Sequence, residues 1–464
     1  MSFSPRLLLA LLACGALSSC GGGGGGSAPA ATTPTTPTGP ALTAPTLPRT
    51  GLVAADLAVI IAQGDATSEA IGLAYQQARG IPEANMIRVP VPTGSPVISA
   101  ADFATLKAAI DAKLPATVQA TLLTFTQPSR VSGNCFMGIT SAMAFGYADT
   151  WCSNSVADTQ ASTYYDTDTT RPWTDLQIRP SMMLGVTDPD PQKALDAAKA
   201  LIARGVAADG SAPTGTGYAI RSSDANRSAR YPFMSTLPGL WSQPPGPAMR
   251  YIDASAGGAA YLTGNTDVLF YFASLISVPN LTTNTFLPGA AADTLTSFGG
   301  VLPDGLGQMP ITDWLAAGAT ASYGTVSEPG ALVPKFPMPP VLVEHYVRGA
   351  TLIEAYWKSV KEPGQGLFVG EPLARPWSQA QTATLVNGNL VISTRSLRRS
   401  ANYSVEYLAS GSSTWQVLAS ITGGQPMPFT WTVPLPANTA GGQLRFKGPC
   451  ETQPSQTCVL GQST

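Results

Sequence analysis

The residues with the most chemical potential stand just after apolar segments that read as strands. Asp65 follows "LAVIIAQG", Arg130 follows "LLTFTQPS" and Asp188 follows "MMLGVT". Arg221 and Asp224 follow "TGYAI", Ser274 follows "LFYFA", Ser297 follows "DTLT" and Glu328 follows "SYGTVS". In an open parallel sheet the functional crevice lies outside the carboxyl ends of the strands. These acids, arginines and serines are therefore candidates for one shared rim. Two chemistries are open to them. Ser297 is a candidate nucleophile, and Asp224 with Glu328 is a candidate acid/base pair, because two carboxylates in one cleft push their pKa values apart. Ser and Asp at strand ends are also the preferred caps of the helices that follow, so each candidate has a competing structural role.

Other catalytic sets lack parts. The single histidine, His345, lies in "VLVEHYVRG", a helical stretch away from the strand ends, which leaves a Ser-His-Asp or Cys-His machine without a base. No group of His and Cys has zinc-ligand spacing. "YYDTDTTRPWTD" offers Asp166, Asp168 and Asp175 as weak calcium candidates, without the full ligand periodicity of a calcium loop. After the first strand "AQGDATSEA" has one glycine, so no phosphate-cradling loop is present and no nucleotide cofactor is expected.

The elements that would position these residues alternate. "LAVIIAQ" reads as a strand buried on both faces, and "DATSEAIGLAYQQARG" as a helix stopped by Gly80. "NMIRVPV" is a strand, "SAADFATLKAAIDAKL" a helix opened by Ser99 and Asp102 in a capping box, and "QATLLTFT" a strand. "SMMLGVT", "TGYAIR", "DVLFYFAS", "AADTLTS", "TASYGTV" and "GLFVGEP" are further strands. "DPQKALDAAKALIARG", "ITDWLAAGA" and a long "PVLVEHYVRGATLIEAYWKSV" are further helices. The fold class expected is α/β, a mainly parallel sheet flanked by helices over 51–377. From Ser378 the period changes to short alternating segments with Asn-Gly, Ser-Gly and Gly-Gly turns, which predicts a β-sandwich over 378–464.

The amino terminus predicts export. One Arg precedes an apolar run too short to span a bilayer, and residues 1–20 end in "LSSC", which resembles the bacterial lipobox. That resemblance makes Cys20 the acylated residue and, with Gly21 after it, points to an outer-membrane lipoprotein. Residues 21–50 are Gly-, Pro- and Thr-rich and read as a tether. Of the remaining cysteines, Cys135 with Cys152 and Cys450 with Cys458 are close in sequence and suggest two local disulfides, a free catalytic thiol at Cys135 or Cys152 being the alternative. Charged residues make up 12% of the chain and the net charge is −2, which gives no pull toward nucleic acid.

The segment "LAVIIAQGDATSEAIGLAYQQARGIPEANMIRVPVPTG", with "WLAAGATASYGTVSEP" and "KFPMPPVLVEHYVRGATLIEAYWKSVKEPGQGLFVGEPLARPW", resembles an uncharacterised family of exported bacterial proteins associated with exosortase-type envelope sorting. The resemblance spans residues 53 to 376. That family is in turn distantly similar to gingipain-like cysteine peptidases of the caspase fold. By that resemblance "DVLFYFASL" should end in the catalytic histidine and "DTLTSFGG" in the catalytic cysteine. This chain has Ala273 and Ser274 at the first place and Ser297 or Phe298 at the second. The resemblance therefore implies a caspase-like domain without its Cys/His dyad. The function expected is binding of an envelope protein or exopolysaccharide from a membrane-anchored position, and the alternative is a hydrolase using Ser297 or the Asp224/Glu328 pair.

Overall fold

The structure, a computed structural model, describes residues 39–167, 176–242, 246–450 and 456–463. Cys20, the signal segment, the tether up to residue 38, Asp168 and Asp175 lie outside the described residues.

Thirteen strands precede the carboxyl-terminal β region: Leu57–Ala62 (β1), Met86–Val89 (β2), Val97–Ser99 (β3), Ala120–Leu123 (β4), Arg130–Ser132 (β5), Phe136–Gly138 (β6), Ser181–Met183 (β7), Thr216–Arg221 (β8), Ala248–Asp253 (β9), Val268–Ala273 (β10), Phe286–Thr294 (β11), Ala321–Thr325 (β12) and Gly366–Gly370 (β13). Ten of them form one sheet in the order β2-β1-β4-β7-β13-β12-β11-β10-β8-β9, and β3, β5 and β6 form a small sheet beside it. β1 and β10 are apolar at every position and buried at every position, as strands covered on both faces must be.

The sheet is mostly parallel. β13 is antiparallel to β12 over five residue pairs, and it meets β7 at one pair, Val369 with Met183. That lone bridge has the pattern of a parallel pair, but the chain path fixes the direction instead. The helix Pro191–Ala208 leaves the carboxyl end of β7, and Ala208 at its far end packs against Gly289 near the start of β11. β7 and β11 thus run the same way, and β13 runs against its neighbours on both sides. The other carboxyl ends share one rim, as the alternation of strands and helices predicts.

Local chemistry explains the element boundaries. Asp65 caps the helix Ala66–Arg79 by accepting from the Ser68 amide, and Gly80 ends it in the left-handed conformation. Ser99 accepts from the Asp102 amide to open Ala100–Asp111. The long helix expected around His345 is instead two, Pro339–Val347 and Leu352–Ser359. Gly349 turns the chain with φ +100°, and Thr351 restarts it in a capping box with Glu354.

Strands Thr382–Val386 (β14), Asn389–Thr394 (β15), Asn402–Leu408 (β16), Trp415–Thr422 (β17), Phe429–Pro434 (β18), Gln443–Pro449 (β19) and Thr457–Gln462 (β20) form two antiparallel sheets, β14-β15-β18 and β17-β16-β19-β20. Their facing residues, among them Leu390, Ile392, Val405, Val433, Leu444 and Phe446, make a core of their own. Residues 39–50 depart from the expected tether. Leu42, Ala44 and Leu47 pack on this β core, and Pro40 O accepts from the Gly441 amide at 2.8 Å. Their spaced apolar side chains give an extended segment something to bury. Cys135–Cys152 and Cys450–Cys458 are disulfides, so neither Cys135 nor Cys152 is a free thiol.

Candidate functional site

The rim is ten strands wide, so sharing it is not the same as sharing a site. Asp224 follows β8 and Glu328 follows β12, three strand spacings apart, or ~14 Å at the strand ends. Each carboxylate is engaged locally. Asp224 Oδ1 accepts from the Arg227 amide at 3.0 Å, and Oδ2 lies 3.5 Å from Arg227 Nε. Glu328 is exposed and its Oε1 accepts from the Gly330 amide at 2.8 Å. The expected acid/base pair is not assembled, because each acid serves its own loop.

The positions that the family resemblance assigns to a dyad are neighbours. β10 pairs with β11, Ala273 opposite Thr294, so Ala273 and Ser274 stand beside the strand leading to Ser297 and Phe298. Thr294 Oγ1 locks the two ends by donating to Leu275 O at 2.7 Å and accepting from Leu275 N at 3.2 Å. Ala273 and Ser274 are buried, and Ser274 O accepts from Ser222 Oγ at 2.6 Å. Ser297 is half-buried, its carbonyl accepts from Thr325 Oγ1 at 3.0 Å, and the Phe298 amide donates to Gln308 Oε1 at 3.1 Å. No general base touches the Ser297 hydroxyl among the described residues. A serine hydroxyl without one stays protonated and poorly nucleophilic at neutral pH. Beneath this rim, Arg230 Nη2 and Asp293 Oδ1 lie 2.6 Å apart and fully buried, off the hydrogen-bonding direction, so the pair is a contact of charges. Burial raises the Asp293 pKa against the opposing pull of Arg230.

His345 is far from a catalytic setting. It is 2% exposed, and its ring Nε2 lies 2.8 Å from Asp166 Oδ1. Burial outweighs that bond and holds the imidazole pKa at about 4, so it is neutral at pH 7. Asp166 is pushed up by its own burial, but the His345 bond and Arg398 outweigh this and leave its carboxyl below the usual range. With His345 on one oxygen and Arg398 on the other, Asp166 is not a free calcium ligand. Among the described residues no cluster of metal-ligating side chains occurs.

Where the rim does open is at the other half of the sheet. β1 pairs with β2 on one side and β4 on the other, which makes it the topological switch point. A cleft of about 500 Å³ lies outside the carboxyl ends of β1, β4 and β7. Asp65, Thr67, Thr93, Thr126, Gln127, Thr187 and Asp188 line it, with Phe125 and Ile71 as apolar wall and Pro303 reaching over from the loop after β11. The lining contains two carboxylates and no Lys, Arg or His. Asp65 and Asp188 are thus brought together by the fold, each also holding a nearby backbone amide: Ser68 N at 2.9 Å and Asp190 N at 2.9 Å. Arg130 is not in the cleft; its guanidinium sits over the Phe136 ring at 4.7 Å. Arg221 is on the distant edge, paired with Asp253 at 3.2 Å.

The threonines and Gln127 escape a strand-end search for acids and nucleophiles, although "TFTQP" after β4 carries the signal in its hydroxyls and amide. A second, shallower groove of about 600 Å³ runs along edge strand β9, with Tyr218, Tyr251 and Tyr261 in its wall. No protein-family model matches the chain, and no curated protein or solved structure matches it significantly.

Proposed function

We propose that this chain is an exported envelope protein, held by a lipid on Cys20, that binds a glycan in the cleft at β1, β4 and β7 and does not cleave peptides by a Cys/His route. The single observation that carries the glycan is the lining of that cleft. Hydroxyls, a primary amide and two carboxylates are donors and acceptors for sugar hydroxyls. The helix amino termini there would favour anions, but Asp65 and Asp190 already occupy them as caps. A polyanion therefore finds no counter-charge in this part of the cleft.

The absence of a peptidase dyad is supported by the bonds of its would-be members. The cysteines from Cys135 onward are all in disulfides, and the only histidine is buried against Asp166. The caspase-like relationship and the lipid anchor rest on the sequence resemblance and on "LSSC".

The test is titration calorimetry of the full-length chain in detergent against a panel of oligosaccharides. Binding of one or more is expected, with Asp188→Ala and Thr67→Ala each weakening it about tenfold, the effect of losing one hydrogen bond to ligand. Asp65→Asn should retain the helix cap and still weaken binding. A panel without a single binder, or affinities untouched by all three substitutions, would reject the site. Loss of binding on Tyr251→Ala and Tyr261→Ala instead would move it to the β9 groove.

A further inference from the structure

We propose that the glycan is acidic, its sugar carboxylate seated on Arg204 in a groove that continues the cleft; this rests on the glycan-binding function proposed above. The groove has a volume of about 360 Å³ and runs between the helices Pro191–Ala208 and Thr312–Ala317. It opens into the cleft without a break, because Val186, Thr187 and Asp188 line both. Its walls are mostly small and apolar, Ala197, Ala200, Leu201 and Leu315 among them, and Arg204 is the one cation in its lining.

Arg204 differs from the ion-paired inward-facing arginines of the molecule and shares with Arg375, whose side chain donates to Gly349 O and Thr50 Oγ1, the lack of a carboxylate partner among the described residues. Arg79 is paired with Glu371 and Asp209, Arg230 with Asp293, and Arg398 with Asp166. Arg204 has carbonyls only: its Nη2 donates to Leu315 O at 2.9 Å and to Ala319 O at 3.1 Å. Those two bonds fix the guanidinium plane at the end of a helix and leave its charge without a carboxylate among the described residues. Its Nε is buried with no acceptor. Partial desolvation also lowers its pKa from the ordinary value.

With both Nη2 hydrogens on carbonyls and Nε buried, Nη1 is the nitrogen left to donate, and it meets a sugar carboxylate as a single charge-assisted contact. The apolar walls suit the C–H face of a pyranose ring. Asp188 at the mouth disfavours a dianion such as a phosphate monoester, which selects the singly charged group. A uronate-containing chain meets all three conditions, its hydroxyls in the cleft and one carboxylate in the groove.

The experiment compares matched probes on the full-length chain: otherwise neutral tetrasaccharides carrying a single galacturonate, glucuronate or mannuronate residue, each against its methyl ester, which keeps the hydroxyls and removes the charge. The acid form of at least one should bind about tenfold to a hundredfold tighter than its ester, as a charge-assisted contact does. Arg204→Gln should bring the two forms level. Ala316→Trp, which fills the groove and leaves Arg204 in place, should do the same if Arg204→Gln fails to fold. Equal binding of acid and ester by the wild-type chain would overturn this inference and leave glycan binding standing. A preference for acid that survives both substitutions would place the carboxylate elsewhere. If neither form of any probe binds while neutral sugars do, the inference falls alone; if no saccharide binds, it falls with the function on which it rests.

Discussion

His345 is the chain's single histidine, and its neutral, buried ring makes a pH signal that no other imidazole can mimic. Its folded pKa of about 4 lies below the ordinary 6.5, so the unfolded chain binds the extra proton between those values. Stability contributed by this group is therefore complete above pH 6.5 and falls as the pH drops toward 4, by roughly 3 kcal/mol at the lower end. Asp293 and Glu344, whose pKa values burial raises, act in the opposite sense, so the contribution is read as a difference. Urea unfolding of wild type and His345→Gln from pH 4 to 7 should show a gap that narrows as the pH falls; a constant gap would mean that the ring is not held neutral. At the rim, Ser297→Ala should change stability by less than about 0.5 kcal/mol, since the hydroxyl has no partner among the described residues. A fluorophosphonate probe should leave the wild-type chain unlabelled, because no base activates that serine, and stoichiometric labelling lost on Ser297→Ala would restore the hydrolase. Ser297 was legible from sequence as a strand-end residue, and so was the absence of a histidine base at the strand ends; which other groups face its hydroxyl was not, since hydrogen bonding is settled by neighbours distant in the chain.

Between Pro339 and Ser359 a single helical period conceals two helices. The apolar spacing of "VLVEHYVRGATLIEAYW" continues through the break, so periodicity alone joins what Gly349 separates. At φ +100° a side chain is strained, and a Cβ there would meet Trp377 O at 2.9 Å. Gly349→Ala is expected to destabilise the chain by about 1–3 kcal/mol, measured by urea unfolding. An unchanged midpoint would show that the turn tolerates an L-residue. Glu354 makes the restart costly to lose. Its Oε2 accepts from the Thr351 amide, the Thr351 hydroxyl and the Leu52 amide, all buried, so Glu354→Ala should cost about 3 kcal/mol or more. Strand-helix alternation, by contrast, was visible throughout, because β1, β10 and their helices carry strong local patterns and explicit caps. The edge strand β9 was missed, since its half-exposed "AMRYID" lacks the continuous apolar run of its inner neighbours.

At the scale of the molecule, the β region is bolted to the α/β domain rather than hung from it. Arg348 Nη2 donates to Ser396 O at 2.8 Å, Ser396 Oγ returns a bond to Arg348 O at 2.6 Å, and Arg398 reaches Asp166. Arg399 meets Glu344 at 3.4 Å. Deleting residues 378–464 would leave Asp166 and Glu344 without these cations, so the truncated chain should melt several degrees lower than the full one in calorimetry. Two independent transitions in the full chain, with the first domain unmoved by truncation, would show the contacts to be superficial. The sequence by itself determined the alternation and the change of period near Ser378 and suggested the disulfide partners, because caps, periodicity and short cysteine separations act within a few residues. It also placed Asp65 and Asp188 at strand ends. Only the tertiary structure decided which strand ends are neighbours. The order β2-β1-β4-β7 gathers Asp65, Gln127 and Asp188 around one opening, while β12-β11-β10-β8 spreads Glu328, Ser297 and Asp224 along a closed rim. Strand order is set by long-range packing of buried faces, and a local pattern that makes every inner strand apolar carries no record of which one lies beside which.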